Sequence, residues 1–408
     1  MKEKRTWKSG TDKEVNRKLH MMEIGSIYEI NPATVAVAEE SQTPLFSLKE
    51  TEKYGKKNVS FTASGRAAIA LALKSYAQNR AGGNKTEAGK KCLLPAYMCD
   101  TVFFPFQWEG WEIQFYHINK NLEADTGQLC RLMEQQRPDL LFIHPYYGVD
   151  TWKPMRSLLK EWRAQGICIM EDVTQSYYLQ SAGREADYVV GSLRKWYSVP
   201  DGGFVASNEL LALDCLVQEK EFTKKRLELL TEKWEYLYGS KSQEEKKAMK
   251  EEFLKKNREM EAWLDDHREI GALSREAAGI LKSEDEQKCK NRRNENYRYL
   301  WEWMEGKTRF WPMLPRSFGE DGKMAAPLYF PVYAKDRDRM QKFLTEHGIY
   351  APVLWPVGKE NAGHLTGDEK YIYSHMLALP MDQRYGAEEM KRLGKVLDEY
   401  EEQERNLS

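Results

Sequence analysis

The sequence predicts an α/β protein: a mostly parallel sheet with helices on both faces, then a helical segment and a small C-terminal α+β domain. Three observations support this fold class. Short apolar runs alternate with helical patterns from Phe61 onward, the composition shifts to Glu, Lys, Arg, Leu and Ala near Leu210, and strand-like runs return after Trp311-Pro312. We divide the chain into an N-terminal segment (1–45), a large domain (46–208), a charged helical segment that completes it (209–300) and a small domain (301–408).

The large domain opens with an Ala- and Leu-rich stretch, Ala67–Ala77, which predicts a buried helix, and a second helix is predicted over 154–165. The predicted strands are the apolar runs between such patterns: Cys92–Pro95, Ile113–Ile118, Leu140–His144, Gly166–Met170, Asp187–Leu193 and Phe204–Ser207. Because parallel strands need long crossover connections, this alternation favours parallel pairing.

The helical segment carries acidic and basic side chains in alternation. Ser242 and Glu245 form a capping-box signature. Apolar side chains then recur near one helix face, at Met249, Phe253, Met260 and Leu264. The segment is either a partner-binding arm or a solvated amphipathic helix, and the interspersed signs favour the second. The small domain is predicted to contain, in order, Pro327–Tyr333 (strand), Asp336–His347 (helix), Ile349–Trp355 (strand), Met376–Pro380 (apolar run) and Ala387–Glu402 (helix).

Composition narrows the classes of function. Lys plus Arg number 62 and Asp plus Glu 63, so the chain lacks the basic excess of a general nucleic-acid binder. No run approaches the ~18 apolar residues of a membrane span. The cysteines contain no C-x-x-C pair, the histidines no metal-ligand spacing, and the N-terminal region no apolar segment of a secretory signal. We therefore expect a cytoplasmic protein that uses no metal and binds neither nucleic acid nor membrane.

Two segments place polar groups where ligands bind in α/β proteins. Ser64, Gly65 and Arg66 open the first helix, where backbone N–H groups and the helix dipole suit a phosphate, although an ordinary Ser64 N-cap explains the same pattern. A later apolar run ends in Glu171 and Asp172, at the strand end where open sheets bind ligands. Adjacent strand residues point to opposite faces, so only one carboxylate would face a site. A helix cap at Asp172 is the alternative.

A third segment ends in Lys195, three residues after Ser192 and shortly before Gly202-Gly203. A lysine at a strand end is unusual, because a buried ammonium is costly unless it is paired or covalently used. A surface-loop lysine is the alternative. Together, a helix N-terminus, a strand-end acid and a strand-end lysine are the parts that hold pyridoxal 5'-phosphate (PLP). The lysine forms the Schiff base and the acid keeps the pyridine nitrogen protonated.

These residues resemble the DegT/StrS family of PLP-dependent aminotransferases, which have the type I fold of aspartate aminotransferase. The likeness covers most of 60–208 and 325–400. The matching segments are Ser64-Gly65-Arg66-Ala67-Ala68, His144-Pro145-Tyr146-Tyr147-Gly148, Glu171-Asp172-Val173-Thr174-Gln175, Lys195 with its glycine pair, and Leu377-Ala378-Leu379-Pro380. The chain departs from the family in the spacing of Ser192 and in lacking an Arg-Asn-Tyr-Arg-Met motif, whose place the helical segment takes.

The resemblance implies a role for each matched residue. Lys195 would form the Schiff base, Asp172 would hold the ring nitrogen, and Gln175 would lie near the ring or its phenolic oxygen. The phosphate would be bound by Ser64, Gly65, Arg66 and Ser192. Tyr97 would stack on the ring, or serve as a core tyrosine instead. Arg384 would grip the substrate carboxylate, with a surface arginine in a turn as the alternative.

The implied reaction moves an amino group from an amino acid, with glutamate the expected donor, to a carbonyl acceptor such as a nucleotide-linked keto-sugar. The freed Lys195 amine would carry the proton. The resemblance also implies a homodimer with shared active sites. Two alternatives stay open: another PLP-dependent reaction (lyase, dehydratase or decarboxylase), and a catalytically silent regulatory protein with the same fold.

Overall fold

A computed structural model of the chain describes residues 23–39, 53–81, 90–314 and 326–407, so much of the predicted N-terminal segment lies outside the described residues. The strands are β1 (Ile24–Gly25), β2 (Asn58–Thr62), β3 (Lys91–Pro95), β4 (Glu112–Tyr116), β5 (Leu140–Ile143), β6 (Cys168–Asp172), β7 (Tyr188–Ser192), β8 (Gly203–Ser207), β9 (Leu216–Val217), β10 (Ile270–Gly271), β11 (Phe310–Pro312), β12 (Phe330–Ala334), β13 (Ile349–Tyr350) and β14 (Met376–Leu379). The α-helices are α1 (Pro32–Glu39), α2 (Gly65–Ala81), α3 (Phe103–Trp108), α4 (Thr126–Gln136), α5 (Arg156–Ala164), α6 (Lys220–Tyr238), α7 (Gln243–Asp266), α8 (Arg275–Ser283), α9 (Glu286–Met304), α10 (Arg337–Glu346), α11 (Gly367–His375) and α12 (Ala387–Asn406).

The central sheet has seven strands in the order β2-β8-β7-β6-β5-β3-β4. Its pairs from β4 through β7 are parallel, whereas β8 is antiparallel to both β7 and β2. Alternate residues of β5 enter two separate cores, Leu141 and Ile143 on one face and Leu140 and Phe142 on the other. Both faces are therefore covered, and the predicted fold class is confirmed.

The helical segment begins as a hairpin of α6 and α7, which pack against each other. The predicted capping box starts α7: the Ser242 N–H donates to Glu245 (2.7 Å) and the Glu245 N–H donates to Ser242 Oγ (3.2 Å). Phe253, Met260 and Leu264 are buried on this helix, as their spacing predicted. Helix α9 continues to Met304, past the predicted boundary at residue 300.

The C-terminal part contains an antiparallel sheet of β11, β12 and β14. The predicted strand at Ile349–Trp355 is wrong beyond Tyr350, since only Ile349–Tyr350 pairs, in parallel with β1 near the start of the chain. Proline at position 352 has no N–H to continue such a ladder. The pairing of β1 with β13 ties the N-terminal residues to the small domain.

A buried carboxylate anchors the helical segment to the end of the sheet. Asp201, in the turn between β7 and β8, is fully buried. It accepts hydrogen bonds from the Ser274 N–H at the start of α8 and from Thr223 Oγ1 of α6, both 3.0 Å long. Burial raises the pKa of Asp201 to about 6, because these hydrogen bonds only partly offset the loss of water.

We predict that Asp201→Asn removes a pH dependence of stability. The folded-state pKa of Asp201 lies above its unfolded value, so ionising it in the folded protein costs free energy as the pH rises from about 4 to about 6. Asparagine still accepts from Ser274 and can donate to Thr223. The variant's unfolding free energy should therefore gain on wild type by about 2–3 kcal/mol across that window, measured by urea denaturation.

The matched control is Asp338→Asn, at a carboxylate whose side chain is 81% exposed. It should show a much smaller change over the same pH range. A difference between Asp201→Asn and wild type that does not vary with pH would contradict the prediction.

Strand β8 begins where the chain before α2 crosses it closely. A Cβ atom on Gly203 would lie 2.3 Å from the Ser64 carbonyl oxygen and 2.8 Å from the Gly65 nitrogen. Both are backbone atoms, so the contact can be relieved only by moving the loop away from the sheet.

Gly203→Ala should therefore destabilise the protein by about 1–3 kcal/mol, the usual cost of overpacking. The comparison is Gly367→Ala, at the start of α11, where a Cβ would meet nothing within 4 Å. That change should alter the unfolding free energy by less than about 0.5 kcal/mol. Equal effects of the two substitutions in a thermal unfolding series would show that the close approach at Gly203 does not constrain the fold.

Candidate active site

The carboxyl end of β6 holds a buried carboxylate. Asp172 Oδ2 lies 3.2 Å from His144 Nδ1, and Oδ1 accepts a 2.9 Å hydrogen bond from the Thr174 N–H. His144 follows β5, the parallel neighbour of β6, so both side chains reach the same sheet edge. Nε2 of His144 is buried and has no hydrogen-bond partner among the described residues.

The neighbouring carboxylate, Glu171, points to the opposite face of the sheet, as the alternation along a strand predicts. It accepts a 2.9 Å hydrogen bond from the Gly183 N–H and lies 3.5 Å from Arg156. Burial raises its pKa, with Arg156 acting against the shift. Glu171 therefore belongs to a structural ion-pair cluster, and Asp172 is the carboxylate of the strand-end site.

Thr174 joins the parts of this site, and the sequence analysis gave it no role. Its Oγ1 accepts a 3.1 Å hydrogen bond from the Ser192 N–H, and its carbonyl oxygen accepts one of 2.8 Å from Trp196 Nε1. Its own N–H binds Asp172. The turn after β6 is thus fastened to both ends of the short segment that contains Lys195.

The start of α2 packs directly against Ser192. The Ser64 hydroxyl accepts from the Ala67 N–H at 3.1 Å, which caps the helix. A Cβ on Gly65 would lie 3.0 Å from the Ser192 Cβ. The structure therefore brings together Ser64, Gly65 and Ser192, three of the four residues predicted to bind a phosphate.

Arg66 turns toward helix α7 instead. Its guanidinium donates to the Leu264 carbonyl oxygen and lies 3.0 Å from Asp265. Burial lowers the pKa of Arg66, and the Asp265 carboxylate opposes that shift. Only its backbone stays at the helix start, so a side-chain contact with a phosphate stays a prediction.

Lys195 ends a short 3₁₀ turn, Leu193–Lys195, directly after β7. Its side chain is exposed and lines an open cavity. Its ammonium group has no hydrogen-bond or ion-pair partner among the described residues. Although the side chain reaches solvent, the surrounding protein displaces part of its water and so lowers the pKa of Lys195, and the Glu261 carboxylate acts against that shift.

The cavity in front of Lys195 has a volume of about 520 Å³. Its walls come from the Lys195 turn, from the α6–α7 hairpin through Arg226 and Glu261, and from the small domain through Arg384. Lys195 and Arg384 were both predicted site residues. Arg226 and Glu261 were not, because they lie in the helical segment that was predicted to be a partner-binding arm or, as the interspersed charges favoured, a solvated amphipathic helix.

Arg384 lies in the cavity wall with its charge already neutralised. It pairs with Asp382 through Nε and Nη2 (2.8 and 2.9 Å) and with Glu29 through Nη1 (2.8 Å). These two carboxylates raise its pKa against the effect of burial. The alternative of a surface arginine is wrong, since the side chain is only 15% exposed. Its role with a substrate stays a prediction.

Gln175 and Tyr97 lie in the aromatic wall beside the strand ends. Gln175 Oε1 accepts a 3.0 Å hydrogen bond from the Tyr147 N–H. Tyr97 is fully buried, with its ring 5.3 Å from those of Tyr146 and Trp355 and its hydroxyl donating to the Leu354 carbonyl oxygen at 2.5 Å. Tyr97 thus has the contacts of a core residue, and its stacking on a cofactor stays a prediction.

The described residues show neither a metal site nor a membrane-spanning helix. They contain no group of three or more His, Cys, Asp and Glu side chains arranged to hold a metal ion. Within the same ranges, no helix is long and apolar enough to cross a membrane.

No protein-family model matches the sequence, and no curated protein matches it either. Solved structures do match the fold. A DegT-DnrJ-EryC1-StrS aminotransferase from Brucella abortus has a TM-score of 0.59 and 16% identity, with 92% of this chain and 91% of that chain covered. NtdA from Bacillus subtilis with bound cofactor PMP has a TM-score of 0.57 and 14% identity, covering 95% and 82% of the two chains.

DesI, in the presence of its TDP-sugar product, gives a TM-score of 0.63 at 14% identity and covers 95% of this chain and 94% of its own. At such identities the likeness is one of fold. It extends over nearly the whole chain. The protein therefore has the fold of the DegT/DnrJ/EryC1/StrS-type aminotransferases, the fold that its motifs predicted.

Proposed function

We propose that this protein is a PLP-dependent aminotransferase that moves an amino group from an amino acid to a carbonyl acceptor. The observation that carries the proposal is Lys195: an ammonium group without a partner, facing a cavity, and joined through Thr174 to a strand-end carboxylate. A lysine with a shifted pKa that lines a cavity is a candidate for a functional role. The fold that this chain shares with solved aminotransferases supports the same proposal.

The described residues fit PLP. Gly65 lies directly against Ser192, so the backbone N–H groups at the start of α2 and the Ser192 side chain lie close enough together to contact one phosphate. Asp172, held by the Thr174 N–H and His144, is an anionic partner for a protonated ring nitrogen. When bound, PLP supplies an electron sink for negative charge at the substrate Cα. We propose Ser64, Gly65, Arg66 and Ser192 for the phosphate and Gln175 and Tyr97 for the ring.

Lys195 is suited to carry a proton in this site. The surrounding protein favours its neutral form by displacing water, and only the neutral amine can accept a proton at Nζ. Glu261 opposes this shift by favouring the charged form.

We propose glutamate as the donor and a nucleotide-linked keto-sugar as the acceptor. Both are anions, and the cavity lining contains more cations than carboxylates. A homodimer and a cytoplasmic location, implied by the resemblance, belong to the same proposal.

The reaction is tested with a donor titration. Adding glutamate to the cofactor-loaded protein should yield 2-oxoglutarate and convert the cofactor stoichiometrically to its amine form, followed as loss of the visible absorption band. Lys195→Ala should abolish this conversion, whereas Lys247→Ala, an exposed lysine on α7, should leave it unchanged. Borohydride treatment before the titration should attach the cofactor to Lys195.

Release of carbon dioxide or ammonia from the donor, without accumulation of the amine form, would move the protein to the lyase or decarboxylase alternatives. A borohydride label on another lysine would reject the assignment of Lys195.

The role of Asp172 is tested by comparing two neighbouring carboxylates. Asp172→Asn should lower the rate of the donor half-reaction by on the order of a hundredfold, the usual effect of losing one preorganised electrostatic contact. Glu171→Gln should change that rate much less, because Glu171 faces the Arg156 cluster on the other side of the sheet. Single-turnover absorption measures both rates, and equal losses would count against Asp172.

A further inference from the structure

The charged lining of the Lys195 cavity is unbalanced. The cations that line it are Arg194, Lys195, Arg226, Arg293 and Arg384, whereas the carboxylates among its described lining residues are Glu261 and Asp382. Like charges that line the same cavity repel one another. A cavity with this excess favours an anionic ligand, and each arginine can be examined for a free edge to receive it.

Two of the arginines are already saturated. The guanidinium of Arg384 is paired with the carboxylates of Asp382 and Glu29. Arg293 donates from Nε to Gln383, from Nη1 to the Leu328 carbonyl oxygen and from Nη2 to Tyr28, at 2.8–2.9 Å. Neither has a pair of N–H groups left over for a ligand.

Arg226 differs from both. It is 6% exposed, and its Nη1 donates to Asn257 Oδ1 at 2.6 Å and lies 3.5 Å from Glu261. Nε is buried without a hydrogen-bond partner, and Nη2 has none among the described residues. Burial and the nearby Arg194 lower the pKa of Arg226 to about 10. The Nε–Nη2 edge of a guanidinium presents two parallel N–H groups, which is the geometry that two carboxylate oxygens require.

We propose that the Nε and Nη2 groups of Arg226 bind a carboxylate of the amino donor, so that the α6–α7 hairpin supplies the substrate anchor of this site. The inference rests on the proposed function, which places an amino acid beside Lys195. It assigns the anchor to the helical segment rather than to Arg384.

Glu261 sets the strength of this anchor. It lies 2.6 Å from Arg194 and 3.5 Å from Arg226. Although burial opposes ionisation, Arg194 and Arg226 lower the pKa of Glu261 to about 2, so it stays anionic. A donor carboxylate must therefore share the two arginines with Glu261. Removing the Glu261 charge should strengthen binding, whereas removing the Arg226 edge should weaken it.

The test measures binding rather than turnover. Glutarate, a dicarboxylate without an amino group, is titrated by calorimetry into the full-length, cofactor-loaded protein. Arg226→Gln should weaken glutarate binding at least about tenfold, the usual effect of losing hydrogen bonds to a charged group. Arg226→Lys keeps the charge but not the paired N–H groups and should weaken it nearly as much. Glu261→Gln should tighten it.

The matched control is Lys225→Gln, at the preceding residue of α6, whose side chain is 62% exposed and pairs with Glu221. It should leave glutarate affinity unchanged. Thermal unfolding of each variant checks the fold, and Arg226→Lys carries the test if Arg226→Gln does not fold.

Unchanged glutarate affinity in the Arg226 variants would overturn the inference, as would a loss in Glu261→Gln equal to that in Arg226→Gln. Inorganic phosphate that binds through Arg226 while glutarate does not would also overturn it, by assigning the edge to a phosphate. These outcomes are separable from failure of the proposed function: a protein that carries its cofactor on Lys195 but ignores Arg226 refutes only the anchor.

Discussion

The hydrogen bond from the Ser192 N–H to Thr174 Oγ1 is the contact on which the geometry of the site depends. It joins the turn after β6 to the end of β7, and the same threonine binds Asp172 and Trp196. Asp172 ends β6, which already pairs with β7, and this bond extends the connection to the segment that carries Lys195. With it, Asp172 and Lys195 belong to one hydrogen-bonded unit whose position follows from the sheet.

Burial then determines the chemistry of each charged group in this unit. Glu171 and Asp172 are adjacent in sequence but face different surroundings: Arg156 for Glu171, and His144 with the Thr174 N–H for Asp172. Lys195 has no ion-pair partner among the described residues, and the surrounding protein lowers its pKa, which favours the neutral form. The proposed role of this lysine in proton transfer rests on that shift.

The α6–α7 hairpin changes how the site is enclosed. It stands where the resemblance led us to expect a different motif, and it brings Arg226, Asn257 and Glu261 to the cavity. The hairpin is attached to the sheet by Asp201 through Thr223, so the cavity wall and the strand ends are mechanically connected. The small domain contributes Arg384 to the remaining side of the cavity. The guanidinium of Arg384 is already paired with Glu29 and Asp382.

Local signals in the sequence were enough to predict the fold class, several element boundaries and two of the candidate site residues. The alternation of apolar runs with helical patterns predicted the parallel sheet, the capping box predicted the start of α7, and the ends of apolar runs predicted Asp172 and Lys195. Each of these signals lies within a few neighbouring residues. Contacts between distant residues were decided only by the tertiary structure. The role of Thr174, the burial of Tyr97, the pairing of Arg384 with Glu29 and the approach of Glu261 to Arg194 depend on which helix packs over which strand end. Alternation of charge along α7 looks the same whether the helix faces water or a cavity, and only packing distinguishes the two.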